Sequence, residues 1–235
     1  MRHNGGVTPS APTPSTAELT RQRLTQAAFE VVRDQGWANA SARNIAAQAS
    51  VSQALVFYHF GTVDDLVAAA SDLAVTDAIA AQRPLLADAS TLTELVHAGR
   101  ALSDQHRSDG NTSFMAQVMA AAQHNATMAA AAARALQLWE NEIVGALRRI
   151  TGTGVAGELL DVEDLAPLIT AAFVGTELYG GIDPTAPDRA SRVLESVGQF
   201  AAALDELGPA PKRVLKSAVR RIRRRWSQQV SPASG

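Results

Sequence analysis

Apolar residues recur every three to four positions along most of this chain, and runs of Val and Ile at period two are absent. That spacing puts them on one face of a helix turning about 100° per residue. The first stripe is Leu24, Ala27, Ala28, Val31 and Val32. Ser15-Thr16-Ala17-Glu18 precedes it with the spacing of a capping box, and Gly36 follows as a C-terminal stop in a left-handed conformation. Trp37 packs the turn. Ser41 is the N-cap of a second helix over Ala42 to Ala49, with Ile45 and Ala46 inward. After a turn at Ser50 and Val51, Ser52 caps a third helix from Gln53 to about His59, and Thr62 caps a fourth whose first turn holds Asp64 and Asp65. Two short helices joined by a tight turn, with a longer one before them, outline a helix-turn-helix. Longer helices are predicted near 63–82, 91–107, 112–123, 126–150, 162–179, 188–207 and 211–228. Breaks fall at Pro84, Asp109-Gly110, the loop from Thr151 to Gly154, Gly180-Gly181 to Pro187, and Gly208-Pro209.

Composition agrees with an all-α fold, since alanine abounds while Tyr and Trp are rare. Residues 1–14 are mostly Gly, Pro, Ser and Thr and read as a disordered arm. With no cysteine, disulfides, thiolate chemistry and Cys-based metal sites are excluded. The N-terminus has no apolar secretory core, and the longest uncharged stretch, Gly110 to Ala133, is too polar to span a membrane. A cytoplasmic protein without stable membrane insertion is expected. Net charge is −2, but the segment from Pro209 carries eight basic residues and no acid, which leaves the remainder at −10. An acidic body with a basic tail points towards a polyanion.

The stretch ASVSQALVFYHFGT, residues 49–62, is the most informative. The last helix of a helix-turn-helix lies in the major groove of DNA, where residues near its N-terminus meet base edges. Val51, Val56 and Phe60 are assigned to the small core, and Phe57 leans the same way. Ser52, Gln53, Leu55, Tyr58 and His59 then face outward. Gln53 can pair with adenine, Leu55 can touch a thymine methyl, and Tyr58 and His59 suit phosphate oxygens. Ser41 and Arg43, at the start of the second helix, complete the candidate DNA contacts, the guanidinium reaching guanine or a phosphate.

Residues 23–66 resemble the DNA-binding domain of the TetR family of bacterial transcriptional regulators. Leu24, Ala27, Ala28, Gly36-Trp37, Ser41, Ile45-Ala46, Ala49-Ser50-Val51-Ser52, Val56-Phe57-Tyr58-His59-Phe60 and Leu66 carry the likeness. There are departures. Ser50 stands where the family has a turn glycine, Ala54 replaces a second small residue, and Phe57 replaces a phosphate-binding tyrosine. The lysine that opens the fourth helix is missing beside Gly61 and Val63. Two phosphate contacts are thereby lost or moved, and Tyr58 is a candidate substitute for one.

The resemblance implies a three-helix DNA-binding domain over 15–62 and a helical ligand-binding and dimerisation domain over 63–208, with a basic helix and tail over 209–235. It implies a homodimeric, ligand-responsive repressor on a palindromic operator of double-stranded DNA. Dimerisation would use the two last long helices, through Leu168, Ile169 and Ala172 on one and Val193, Val197, Phe200 and Leu204 on the other. A pocket between the middle helices would bind a small apolar or amphipathic effector. Candidates for its walls are Phe114, Met115, Met119, Met128, Trp139 and Phe173, with His97, Gln117, Gln123 and Glu177 as polar contacts.

Nothing points to catalysis. The five histidines lack H-E-x-x-H spacing, no G-x-S-x-G occurs, and Gly152-Thr153-Gly154 has neither the strand nor the lysine of a nucleotide loop. No cofactor or metal is implied. His97, Arg100 and His106 are scattered along one helix as solvated or pocket-lining groups. In the C-terminal segment Val214, Leu215, Ala218, Val219, Ile222 and Trp226 share a helical face ringed by basic residues. Such a helix could pack on the acidic body, add phosphate contacts on DNA, or lie on an anionic membrane. The last option underlies an alternative function: a membrane-surface or protein-interaction module whose DNA-reading head is weakened.

Overall fold

The computed structural model describes residues 15–152 and 161–208, together with 210–211, 213–214, 217–219 and 221. The expected arm, the loop after Gly152 and most of the basic C-terminal helix lie outside the described residues. Nine α-helices are described with no strand among them. They are α1 (Thr16–Gln35), α2 (Ala42–Gln48), α3 (Ala54–Phe60), α4 (Val63–Asp88), α5 (Leu92–Asp109), α6 (Asn111–Ala122), α7 (Ala126–Thr151), α8 (Val162–Gly180) and α9 (Ala186–Asp205). A short 3₁₀ turn, Trp37–Asn39, links α1 to α2. The chain divides into two compact units, one ending at Ala70 and the other starting at Ser71.

The first unit is built as the apolar pattern requires. Leu24, Ala28, Val31 and Val32 of α1, Ile45 and Ala46 of α2, Val56 of α3 and Leu66 and Val67 of α4 are all buried. The capping box of α1 is complete. Ser15 Oγ accepts the Glu18 N–H at 3.2 Å, and the Glu18 carboxylate accepts the Ser15 N–H at 2.7 Å. Gly36 ends α1 at φ 81°, ψ 163°, outside the left-handed helical region expected for it and in one that only glycine enters readily. Ser41 caps α2 by accepting the Asn44 N–H at 3.2 Å.

Two expectations fail on local hydrogen bonding. Ser52 does not cap α3 with its side chain. The helix opens on backbone bonds alone, from Leu55 N–H to the Ser52 carbonyl and from Val56 N–H to the Gln53 carbonyl, both 3.1 Å. Pro84 does not end α4, which continues to Asp88. An interior proline costs about 3 kcal/mol, yet the apolar spacing runs through it. Leu86 is buried beyond it, its carbonyl accepts from Arg149 at 2.7 Å, and Arg83 pairs with Glu142 at 2.7 Å. Those tertiary contacts with α7 offset the missing backbone bond.

In the second unit α7 packs on α6 and α8, and α9 packs on α5 and α8. Ile143, Leu147 and Ala166 form a buried nucleus, flanked by Leu92, Leu95, Leu165 and Ile169. α5 opens on a capping box between Thr91 and Glu94. α9 approaches α5 so closely at Gly198 that a Cβ there would lie 2.9 Å from Thr93 Oγ1. Arg100 and Asp188 pair across the same helices at 2.7 Å.

Candidate functional site

The outward face of α3 follows from its turn. With Val56 fully buried, a rotation of about 100° per residue puts Phe60 and His59 near the same side, Leu55 and Phe57 on the flanks, and Tyr58 about 160° away. Exposure obeys that order. Phe60, His59 and Leu55 are half-buried, Phe57 is 50% exposed and Tyr58 is 80% exposed. Phe57 therefore stands on the open side rather than in the core, because a helix of seven residues has only one face to bury. Leu55, expected to face outward, is partly covered. Ser41, Arg43, Ser52 and Gln53 are exposed, and Arg43 has no acidic partner among the described residues.

Beneath that face the polar groups are paired. Arg21 donates to the His59 carbonyl at 2.9 Å and lies 4.4 Å from the centre of the Phe60 ring, capping the electronegative end of α3. Arg23 donates to the carbonyls of Ala49 and Ser50, the second at 3.4 Å. Those carbonyls flank the tight turn in which Ser50 sits at φ 54°. Glu30 accepts from Gln26 at 3.0 Å and Gln48 at 2.7 Å, and these bonds hold its carboxyl below its ordinary range. None of these braces was foreseen in the sequence. The only signal was two arginines ahead of an apolar stripe.

The second unit holds a cavity of about 160 Å³ that is partly open to solvent. Phe114, Met115, Met119, Trp139 and Phe173 line it. Other candidates do not. Met128 is buried elsewhere, and Gln123 is exposed, donating to the Met119 carbonyl at 3.4 Å. Gln117 is absent from the lining. His97 is 60% exposed and faces Glu195 at 3.6 Å, so it is a surface group on α5. Glu177 is almost wholly buried but is not part of the lining. It accepts from Ser103 and, at 2.7 Å, from Thr112, tying α8 to α5 and α6. Arg107 stands 3.9 Å from it.

Gln82 and Thr170 are among the lining residues that went unrecognised in the sequence, while His106, read there as solvated or pocket-lining, stands in the wall. Gln82 Oε1, His106 Nδ1 and Thr170 Oγ1 are buried without a hydrogen-bond partner. Burial, the dominant influence, holds the His106 pKa below its ordinary value against weaker opposing pulls from Glu177 and Asp109, and its ring meets Phe173 edge-on at 6.0 Å.

On α8 and α9 a row of large apolar side chains is uncovered: Leu168 is 64% exposed, Val193 64%, Val197 55% and Phe200 67%. Ala172 is also exposed. Ile169 is not part of this row, because the turn of α8 directs it to the cavity wall. The side chain of Leu204 lies outside the described residues.

Residues 24–70 match the model of bacterial regulatory proteins of the TetR family. The chain carries a TetR-family DNA-binding domain. Its coarse function follows, that of a DNA-binding transcriptional regulator. Solved structures share the fold beyond the matched segment. A TetR-family transcriptional regulator from Cytophaga hutchinsonii is 15% identical with a TM-score of 0.67, over 84% of this chain and 100% of its own. GusR of Salmonella enterica is 18% identical with a TM-score of 0.66, over 82% and 98%. A protein of Saccharomonospora viridis, described as a transcriptional regulator and solved with choline, is 22% identical with a TM-score of 0.61, over 76% and 94%. No curated protein matches this chain in sequence.

The TetR-type turn explains why serine suffices at position 50. The position needs a positive φ, which polar residues adopt more readily than branched ones, and Arg23 holds the carbonyls on either side of that residue's nitrogen and carbon. At the missing lysine, Gly61 takes φ 79° and donates to the Phe57 carbonyl at 3.0 Å, while Thr62 accepts the Asp65 N–H at 3.0 Å. No helix among the described residues is long and apolar enough to cross a membrane.

Proposed function

We propose that this regulator is a homodimeric repressor that releases a palindromic operator when a small molecule enters its cavity. The observation that carries the reading is the uncovered face of α3. Gln53 and Tyr58 are solvent-facing while the groups behind them are already paired, so the face is preformed for a duplex. Gln53 reads a base edge. Tyr58, His59 and Arg43 hold phosphates, with Ser41 and Ser52 alongside and Leu55 at the margin.

The apolar row on α8 and α9 supports dimerisation. Uncovered, it is the kind of patch that a monomer rarely leaves in water, and a two-fold axis would cover it with its own copy. The cavity supports ligand response, as does choline bound to the Saccharomonospora viridis protein. α4 supplies the coupling. It contributes Leu66 and Val67 to the core of the first unit and Val75, Ala78, Gln82 and Leu86 to the cavity wall. A ligand that favours one setting of α4 shifts the population with it, and couplings of this kind amount to about 1–3 kcal/mol.

Sedimentation of the full chain with a duplex from upstream of its own gene tests the reading. Two chains per duplex, from a dimer already present without DNA, is the expected result. A single chain per duplex, or no saturable complex, would contradict it.

A further inference from the structure

Native proteins pair nearly all their buried polar atoms. Here Gln82 Oε1 on α4, His106 Nδ1 on α5 and Thr170 Oγ1 on α8 are unpaired, their residues are only 7%, 7% and 4% exposed, and those three residues line one cavity. The rest of the lining is apolar or aromatic with a few small polar groups, and it includes no Asp, Glu, Lys or Arg. Three orphaned groups from three helices in one otherwise oily space are what a bound polar group would satisfy.

The chemistry of the missing partner can be read from the atoms. Gln82 Oε1 can only accept, so the partner must bring an O–H or N–H. Thr170 Oγ1 both donates and accepts, and neutral imidazole offers either role at Nδ1 according to its tautomer. No lining group supplies a counter-charge, and an ion buried without one is strongly disfavoured. Size follows from the volume. An engineered cavity of about 150 Å³ takes a benzene ring, and this one is about 160 Å³. Trp139, Phe114 and Phe173 offer such a ring faces and edges to pack on.

We propose that the cavity binds an uncharged, single-ring compound whose O–H or N–H donor is held by Gln82, His106 and Thr170. The proposal rests on the ligand-responsive reading of the same cavity and narrows its effector to one class. It also separates this cavity from one selecting a quaternary ammonium ion, whose charge would find no Asp or Glu in the lining.

Isothermal titration calorimetry of the full chain with phenol, toluene and choline tests the class. Phenol is expected to bind saturably, at least about tenfold more tightly than toluene, which has the ring without the donor. Choline is expected to bind more weakly than phenol. Thr170→Val and Gln82→Leu should each weaken phenol by roughly tenfold and leave toluene unchanged or tighter. Both variants should melt no lower than the parent, since each removes a buried unpaired group, so a loss of phenol binding is separable from unfolding. Toluene or choline equalling phenol, equal losses for phenol and toluene in the variants, or no binding of phenol would each overturn the proposal. Release of DNA is a separate readout. If phenol binds as described but leaves the operator complex intact, the ligand-responsive reading fails while the ligand class stands.

Discussion

The two units treat their polar groups in opposite ways. In the first, Arg21, Arg23 and Glu30 are each engaged by a named partner, and the side chains left over point to water. In the second, the buried carboxylate of Glu177 is similarly engaged, yet three buried polar atoms on cavity-lining residues stay unpaired. A surface that must read a long, regular partner gains by being fixed beforehand, because ordering it on binding would weaken the complex. A cavity that must respond to a small molecule gains from unmet polar groups, because filling them favours the occupied form. Under the proposed function, this chain would keep rigidity where it reads and unsatisfied polarity where it senses.

The largest expected effect comes from separating two copies of the reading unit. Phe200→Glu places a charge in the uncovered row of α9 and should leave a monomer by analytical ultracentrifugation. Operator affinity should then fall by roughly a hundredfold or more, since each head must bind without its tether. An intact dimer would remove α9 from the interface.

Next is the bracing of the first unit. Arg23→Ala frees the carbonyls of Ala49 and Ser50 and should lower unfolding stability by about 1.5–3 kcal/mol in urea titrations. Arg23→Lys should recover only part, as an ammonium lacks the guanidinium fork. No change would mean that the turn at Ser50 stands unaided. Phe57→Tyr probes the reading face more gently. Phe57 is half-exposed beside Tyr58, so a hydroxyl there should add a phosphate contact and tighten every duplex by about 0.5–1.5 kcal/mol, with little change in preference between sequences. Weaker binding would show that Phe57 packs against a base or sugar instead.

The smallest effect is expected in the second unit. Burial keeps the folded His106 pKa below its ordinary value of about 6.5. Above that pH the ring is neutral in both folded and unfolded chains and contributes no slope. Below it the unfolded chain takes up a proton that the folded one resists, so stability falls as pH drops through 6.5 towards the folded pKa. Melting temperatures between pH 7.5 and 5.5 should decline less in His106→Gln than in the parent. Parallel declines would place the titration elsewhere.

Much of the first unit could be read in one dimension, because its determinants are local. The capping box at Ser15, the stop at Gly36 and the stripe from Leu24 to Val32 are sequence patterns with a direct backbone consequence. Reading failed where a tertiary partner overrode a local signal. Pro84 looked like a break because the bonds around Arg83 and Leu86 come from α7. Glu177 and His97 looked like ligand contacts because nothing in their neighbourhood names Ser103, Thr112 or Glu195 as partners. Gln82 and Thr170 carry no sequence signal at all. What sets them apart is a hydrogen bond not made, which exists only once the helices are packed.

The claim that α3 reads sequence is tested most directly by fluorescence anisotropy. The full chain would be titrated with the duplex from upstream of its own gene and with a random duplex, at two salt concentrations, beside Gln53→Ala. The account expects the upstream duplex to bind more tightly, and Gln53→Ala to lose about 1–3 kcal/mol on it but little on random DNA. Salt should weaken both duplexes. Equal affinity for the two duplexes, unchanged by Gln53→Ala, would contradict it and leave the preformed face of α3 without a sequence to read.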